Sequence, residues 1–230
     1  MSSAQVFTAP AGTRGFDANA VVGAAAAAAF SAEGYQFCVR YVRRDAPTGH
    51  DLTSGELQDI LGAGLALMPV QHVQSEDSWA PDGDLGARQG TVAAAECAAV
   101  GVPAGATVWC DLEGVDPAVP ADDVIAYCNA WHAAVAGAGY VPGLYVGWRS
   151  GLTAAQLYER LRFTHYWGAY NLNADEAPAV RGLQMRQRVR VSLDRVAAVD
   201  LDFQVDTVRA DGLGGLPTVV GFDGWLGRVA

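Results

Sequence analysis

The stretch Thr107-Val-Trp-Cys-Asp-Leu-Glu113 reads as a buried strand that carries two carboxylic acids at its C-terminal end. Residues i and i+2 of a strand point to the same side. Val108, Cys110 and Leu112 therefore share one face, and Asp111 and Glu113 share the other. A strand with an apolar outer face and acids at its far end fits a parallel barrel, where helices cover the outside and chemistry collects at the C-terminal mouth.

The chain on either side keeps one rhythm. Short β-branched or aromatic runs alternate with alanine-rich helical stretches, the pattern of parallel βα units. A first strand ends at Arg14–Asp17, and others span Tyr35–Val42, Leu65–Val73, Thr107–Glu113 and Gly143–Trp148. Helices are predicted over 20–33, from the capping box Thr53-Ser-Gly-Glu56 to Gly62–Gly64, over 85–100, from Pro120–Asp123 to Gly137, and over Thr153–Leu161. Three further strands, Thr164–Tyr170, Gly182–Gln187 and Val199–Gln204, are joined by segments with little helical periodicity, and Pro178 weakens any helix between the first two of them. The fold expected is α/β, a (β/α)₈ TIM-type barrel with five regular βα units followed by three strands with degenerate connections. Its limits are read as 14–205, between an N-terminal extension 1–13 and a C-terminal extension 206–230 whose apolar end, Thr218–Ala230, docks on the barrel or on a partner.

Composition narrows the chemistry. A length of 230 residues suits a minimal α/β barrel, and 51% hydrophobic against 17% charged residues supports a large core. A net charge of −10 argues against nucleic acid and against anionic lipid. All 15 basic residues are arginines, so Schiff-base catalysis, pyridoxal phosphate attachment and a P-loop lysine are excluded. Cys38, Cys97, Cys110 and Cys128 lack zinc spacing and read as buried core thiols. The N-terminus has no basic region followed by an apolar core, and Val21–Phe30 is too short to span a bilayer. The expectation is a protein made in the cytoplasm without a signal peptide or membrane insertion, exported only by a specialised route or carried on a phage particle.

Two more strands bring acids to the same end. In the last, Val199, Leu201 and Phe203 point outward while Asp200 and Asp202 point in, and the first strand closes with Gly15-Phe-Asp17. First and last strands are neighbours in a closed barrel. Carboxyls crowded this closely cannot all ionise cheaply, so at least one should hold its proton to unusually high pH, with Glu113 expected among those raised. A raised acid beside ionised carboxylates is what glycoside hydrolysis requires. Trp79, Trp148, Tyr166, Trp167 and Tyr170 lie near these strand ends, and aromatic faces stack on the C–H faces of sugars. The four histidines have no consistent spacing; His132 reads as helix packing. No GxSxG elbow, Walker motif or GxGxxG after a strand occurs, no cofactor is implied, and no histidine joins the acids to make a metal site.

The segments GFD at 15–17, CDLEG at 110–114, GLYVGW at 143–148, YWGAYN at 166–171 and VDLD at 199–202 resemble glycoside hydrolase family 25, the barrel-type lysozymes. The pair Arg40-Tyr41, the stretch Leu52–Val70 and the helix Gly90–Gly101 are more similar still to related bacterial glycoside-hydrolase-like domains of uncharacterised function. The resemblance covers residues 14–205 and implies Glu113 as general acid, Asp111 orienting the substrate or assisting its N-acetyl group, and Asp17 and Asp200 shaping the charge. It implies a glycan partner, peptidoglycan or chitin-like, contacted by Arg40, Tyr145, Trp148, Trp167, Tyr170, Gln187 and Asp202, with no metal. The alternative is a catalytically idle barrel serving as a glycan-binding or assembly module in a phage particle or secretion system.

Overall fold

A computed structural model describes residues 4–229 apart from 76, 173–174, 178–182, 192–193, 195, 197–198, 200 and 210–212. The elements run β1 (Gln5–Thr8), β2 (Arg14–Ala18), α1 (Ala24–Ala32), β3 (Phe37–Val42), α2 (Ser54–Gly62), β4 (Ala66–Gln71), α3 (Gly83–Val100), β5 (Thr107–Leu112), α4 (Ala121–Gly137), β6 (Val141–Val146), α5 (Ala154–Glu159), β7 (His165–Gly168), β8 (Met185–Arg188), β9 (Gln204–Val208) and β10 (Thr218–Gly221). A 3₁₀ turn, Trp225–Arg228, follows.

Strands β2 to β9 close into an eight-stranded barrel: each pairs with the next, and β9 returns to β2. The five helices α1 to α5 connect the strands from β2 to β7, which matches the regular half of the expected pattern. The last strand departs from it. β9 begins at Gln204, where the predicted strand ended, and runs antiparallel to both β8 and β2. The reason lies in an unbroken alternation. Residues 199–206 read apolar-polar throughout, so parity fixes which side chains turn inward, while the pairing with β2 decides where the ladder starts. Phe203 anchors that start by packing edge-on against Phe16, Phe30 and Tyr35 outside the barrel.

Alternation sorts the core into two layers. Phe16, Cys38, Leu67, Val108, Cys110, Leu112 and Leu144 face the helices, while Phe37, Val39, Met68, Trp109, Trp167 and Met185 fill the barrel. Glycine makes room for the bulkiest interior groups. A Cβ on Gly15 would collide with the Phe37 ring, and one on Gly143 with the Trp109 indole of the adjacent strand. The floor is closed by the chain ends: β1 pairs with β10, β10 touches β4 at Val220↔Leu67, and Val219 and Trp225 join the interior cluster. All four cysteines are free and buried. Among the described residues no helix is long and apolar enough to cross a membrane.

Candidate active site

Above the apolar filling, the interior turns polar at the C-terminal ends of the parallel strands. On β5, Trp109 and Asp111 point inward, Asp111 lying beside Tyr145 of β6 in the strand register. Glu113 follows at the next inward position, half-buried, its main-chain oxygen accepting from Trp79 Nε1 at 2.6 Å. Its carboxyl is lodged against Gly147: a Cβ there would collide with Glu113 Oε2 and lie 2.6 Å from its Cβ. Gly143 and Gly147, four residues apart, thus make room for the two large inward groups of β5 that flank Asp111.

On β2, Asp17 is buried at 2% exposure. Its Oδ2 accepts from Gln187 Nε2 at 2.9 Å, and Gln187 Oε1 accepts from the Tyr145 hydroxyl at 3.1 Å. A polar chain therefore crosses the mouth from β2 through β8 to β6. Tyr41, inward on β3, completes the ring, and the charges of Asp17, Asp111 and Glu113 bear on both tyrosines. Burial, reinforced by those carboxylates, holds both phenols well above the usual range, so both stay protonated and Tyr145 can donate to Gln187. Burial likewise pushes Asp17 up to about 6, against the hydrogen bonds from Gln187 and Asp206 that pull it down.

Three of the expected mouth carboxyls, Asp17, Asp111 and Glu113, come together, along with Tyr145 and Gln187. Asp202 is exposed at the rim, sharing a concavity of about 340 Å³ with Asp17, Asn19, Tyr41, His50 and Gln204. Trp148 and Tyr170, at the ends of β6 and β7, are 41% and 49% exposed. Asp200 lies outside the described residues.

Two expected ligand contacts are placed elsewhere. Arg40 is fully buried on the outer face of β3, because its even position turns it toward α2. There its Nε meets Glu56 Oε1 at 2.5 Å, while its other nitrogens donate to the main-chain oxygens of Ala18 and His50. Glu56 also accepts from Val22 N at 2.7 Å, so its carboxylate serves this knot rather than the predicted capping box, although Thr53 still caps Glu56 N. Trp167 is 1% exposed below the mouth, where it donates to Asp206. Sequence reading missed Asp206, which lies one inward step beyond Gln204 on β9. It also missed His72, which stacks on Tyr41 with centroids 4.4 Å apart. Among the described residues no group of three or more His, Cys, Asp or Glu could hold a metal ion.

The fold is a closed α/β barrel with helices between its strands. The chain belongs to the Rv2525c-like, glycoside hydrolase-like domain family, whose profile matches residues 28–204. Among solved structures it is similar to the Tat-secreted protein Rv2525c of Mycobacterium tuberculosis in complex with L-tartrate, at 18% identity and a TM-score of 0.63 over 90% of this chain and 99% of that one. An uncharacterised protein of B. stearothermophilus superposes at 18% identity and 0.62, over 86% and 96%. A bacterial lysozyme from Streptomyces coelicolor superposes at 14% identity and 0.59, over 89% and 95%. No curated protein matches the sequence.

Proposed function

We propose that the protein is a glycoside hydrolase acting on peptidoglycan or another N-acetylated glycan, with Glu113 as the general acid. The observation that carries this reading is the seating of Glu113 against Gly147 at the same strand edge as Asp111, facing Tyr145 and Tyr41. Family membership and the likeness to a lysozyme fold support it.

In this reading Glu113 donates its proton to the glycosidic oxygen as the bond to the anomeric carbon breaks. Asp111, one inward position deeper on the same strand, orients the N-acetyl group or stabilises the oxocarbenium-like charge. Asp17 is ionised above about pH 6 and adds negative potential from the opposite wall. Tyr145 fixes Gln187 and Gln187 fixes the Asp17 carboxyl, which limits its reorganisation as charge develops. Trp148 and Tyr170 offer exposed faces for sugar rings, and Asp202 lies at the rim near Asp17 and Tyr41. Delivery to a cell wall requires export, and the Tat secretion of the mycobacterial relative supports a specialised route.

The test is muropeptide release. Purified protein incubated with bacterial cell walls should generate new reducing ends that mass spectrometry assigns to one glycosidic linkage. Binding to the walls without new ends would favour the idle-module reading.

A further inference from the structure

Asp206 is the interior acid that sequence reading left out, and its surroundings do not suit a carboxylate. It is wholly buried on β9, one inward position deeper than Gln204, which lies opposite Asp17. Its Oδ1 accepts from Trp167 Nε1 at 3.0 Å, whereas Oδ2 meets no donor among the described residues. The carboxyl of Asp17 lies beside it.

Among the described residues no cation faces this pair. Asp17 itself comes from β2, Tyr41 from β3, Asp111 and Glu113 from β5, Tyr145 from β6 and Asp202 from the segment before β9. β7 and β8 supply the neutral Trp167 and Gln187. The fully buried Arg40 points the other way, into Glu56. Two neighbouring carboxyls this deeply buried, with no positive partner among the described residues, cannot both ionise cheaply.

We propose that Asp206 is a positioning residue that shares a single proton with Asp17, so that the pair bears one negative charge and that charge sits on Asp17. Protonation resolves the hydrogen-bond mismatch. Oδ2 becomes a donor to Asp17, and Oδ1 remains the acceptor that Trp167 needs. Gln187 then stabilises the charged partner from its other side. Burial pushes Asp206 well above the usual carboxylate range, with the Asp17 charge adding to it, while Asp17 rises only to about 6. The inference does not depend on the glycosidase reading, since it concerns the resting barrel and would hold in one that only binds.

The experiment is a ¹³C titration of side-chain carboxyls in the full chain, wild type and Asp206→Asn, which needs no turnover. In the wild type one carboxyl should titrate near 6 and a second should keep its proton through neutrality. In Asp206→Asn an N–H replaces the O–H donor, so the Asp17 midpoint should stay within about half a unit. If Asp206 were ionised, the substitution would delete a neighbouring charge and lower that midpoint by about one unit or more. That drop overturns the proposal. So does a wild-type spectrum with both carboxyls ionised at neutral pH, a measurement that stands even if the variant does not fold.

Discussion

Gln187 donates from Nε2 to Asp17 Oδ2 at 2.9 Å, joining β8 to β2 across the strand β9 that lies between them. This bond favours the charged form of Asp17 against the burial that opposes it. In Gln187→Met the apolar side chain fills similar space without the donor. The Asp17 midpoint should therefore rise above its value of about 6, and stability at neutral pH should fall by about 1–3 kcal/mol, the cost of leaving a buried acceptor unmet. Carboxyl NMR and urea unfolding measure the two effects. An unmoved midpoint would mean that the bond does not set the charge on Asp17.

Asp206 has a consequence for stability. Its folded-state affinity for a proton exceeds that of the unfolded chain, so its contribution to stability is fully present below the unfolded value of 3.8 and is lost as pH rises toward the folded value. Asp206→Asn removes this liability. The stability of the variant relative to wild type should grow by about 1.4 kcal/mol per pH unit from mildly acidic pH to neutrality. His72, pushed down to about 4 by burial, imposes the opposite slope below neutrality, but both proteins share it and it cancels in the difference. Urea unfolding of the two proteins across that range measures the slope; a difference independent of pH would contradict it.

Arg40 and Glu56 form a buried pair that also fixes Ala18, Val22 and His50, the backbone leading out of the β2 and β3 ends. Arg40→Met strands the Glu56 carboxylate and should cost about 3–5 kcal/mol, and the double variant Arg40→Met/Glu56→Leu should recover most of it. Chemical denaturation through a double-mutant cycle tests this. If Arg40→Met folds normally and weakens only glycan binding, Arg40 is a ligand contact after all.

Gly147 leaves the space that the Glu113 carboxyl occupies. Gly147→Ala should displace that carboxyl and, because the new Cβ also meets the Glu113 Cβ, shift the end of the strand that carries it. A shift of about 1 Å in a reacting group lowers turnover about 10²-fold. Kinetics set beside an unchanged circular dichroism spectrum would support this, and wild-type turnover in Gly147→Ala would show that the seat does not matter.

The inward parity of Asp17, Asp111 and Glu113 was legible because alternation on a barrel strand has only two outcomes. Tyr145 and Gln187 came from the family resemblance instead, and parity would have given Asp206 had the last strand been followed past Gln204. Strand direction was not legible, since an antiparallel β9 and a parallel one alternate identically. Arg40 entered as a contact through the family resemblance, whereas its even position puts it with Cys38 and Val42 on the helix side. Trp167 was expected near the strand ends; it does point inward, but depth is not encoded by alternation, and its position opposite Met185 puts it beneath the acids rather than among them.

The central claim is that Glu113 transfers the proton. Glu113→Gln keeps the shape and most hydrogen bonds but has no acidic proton to give. Turnover on cell-wall glycan should fall by about 10²–10⁴ with glycan affinity nearly unchanged. Asp111→Asn should also slow turnover, through lost orientation and charge stabilisation. Steady-state release of reducing ends by wild type and Glu113→Gln, measured from acidic to neutral pH alongside equilibrium binding, is the direct test. The account expects a large loss of turnover at constant affinity. Equal turnover in the two proteins would contradict it, as would a wild type that releases nothing from bacterial cell walls or a chitin-like polymer.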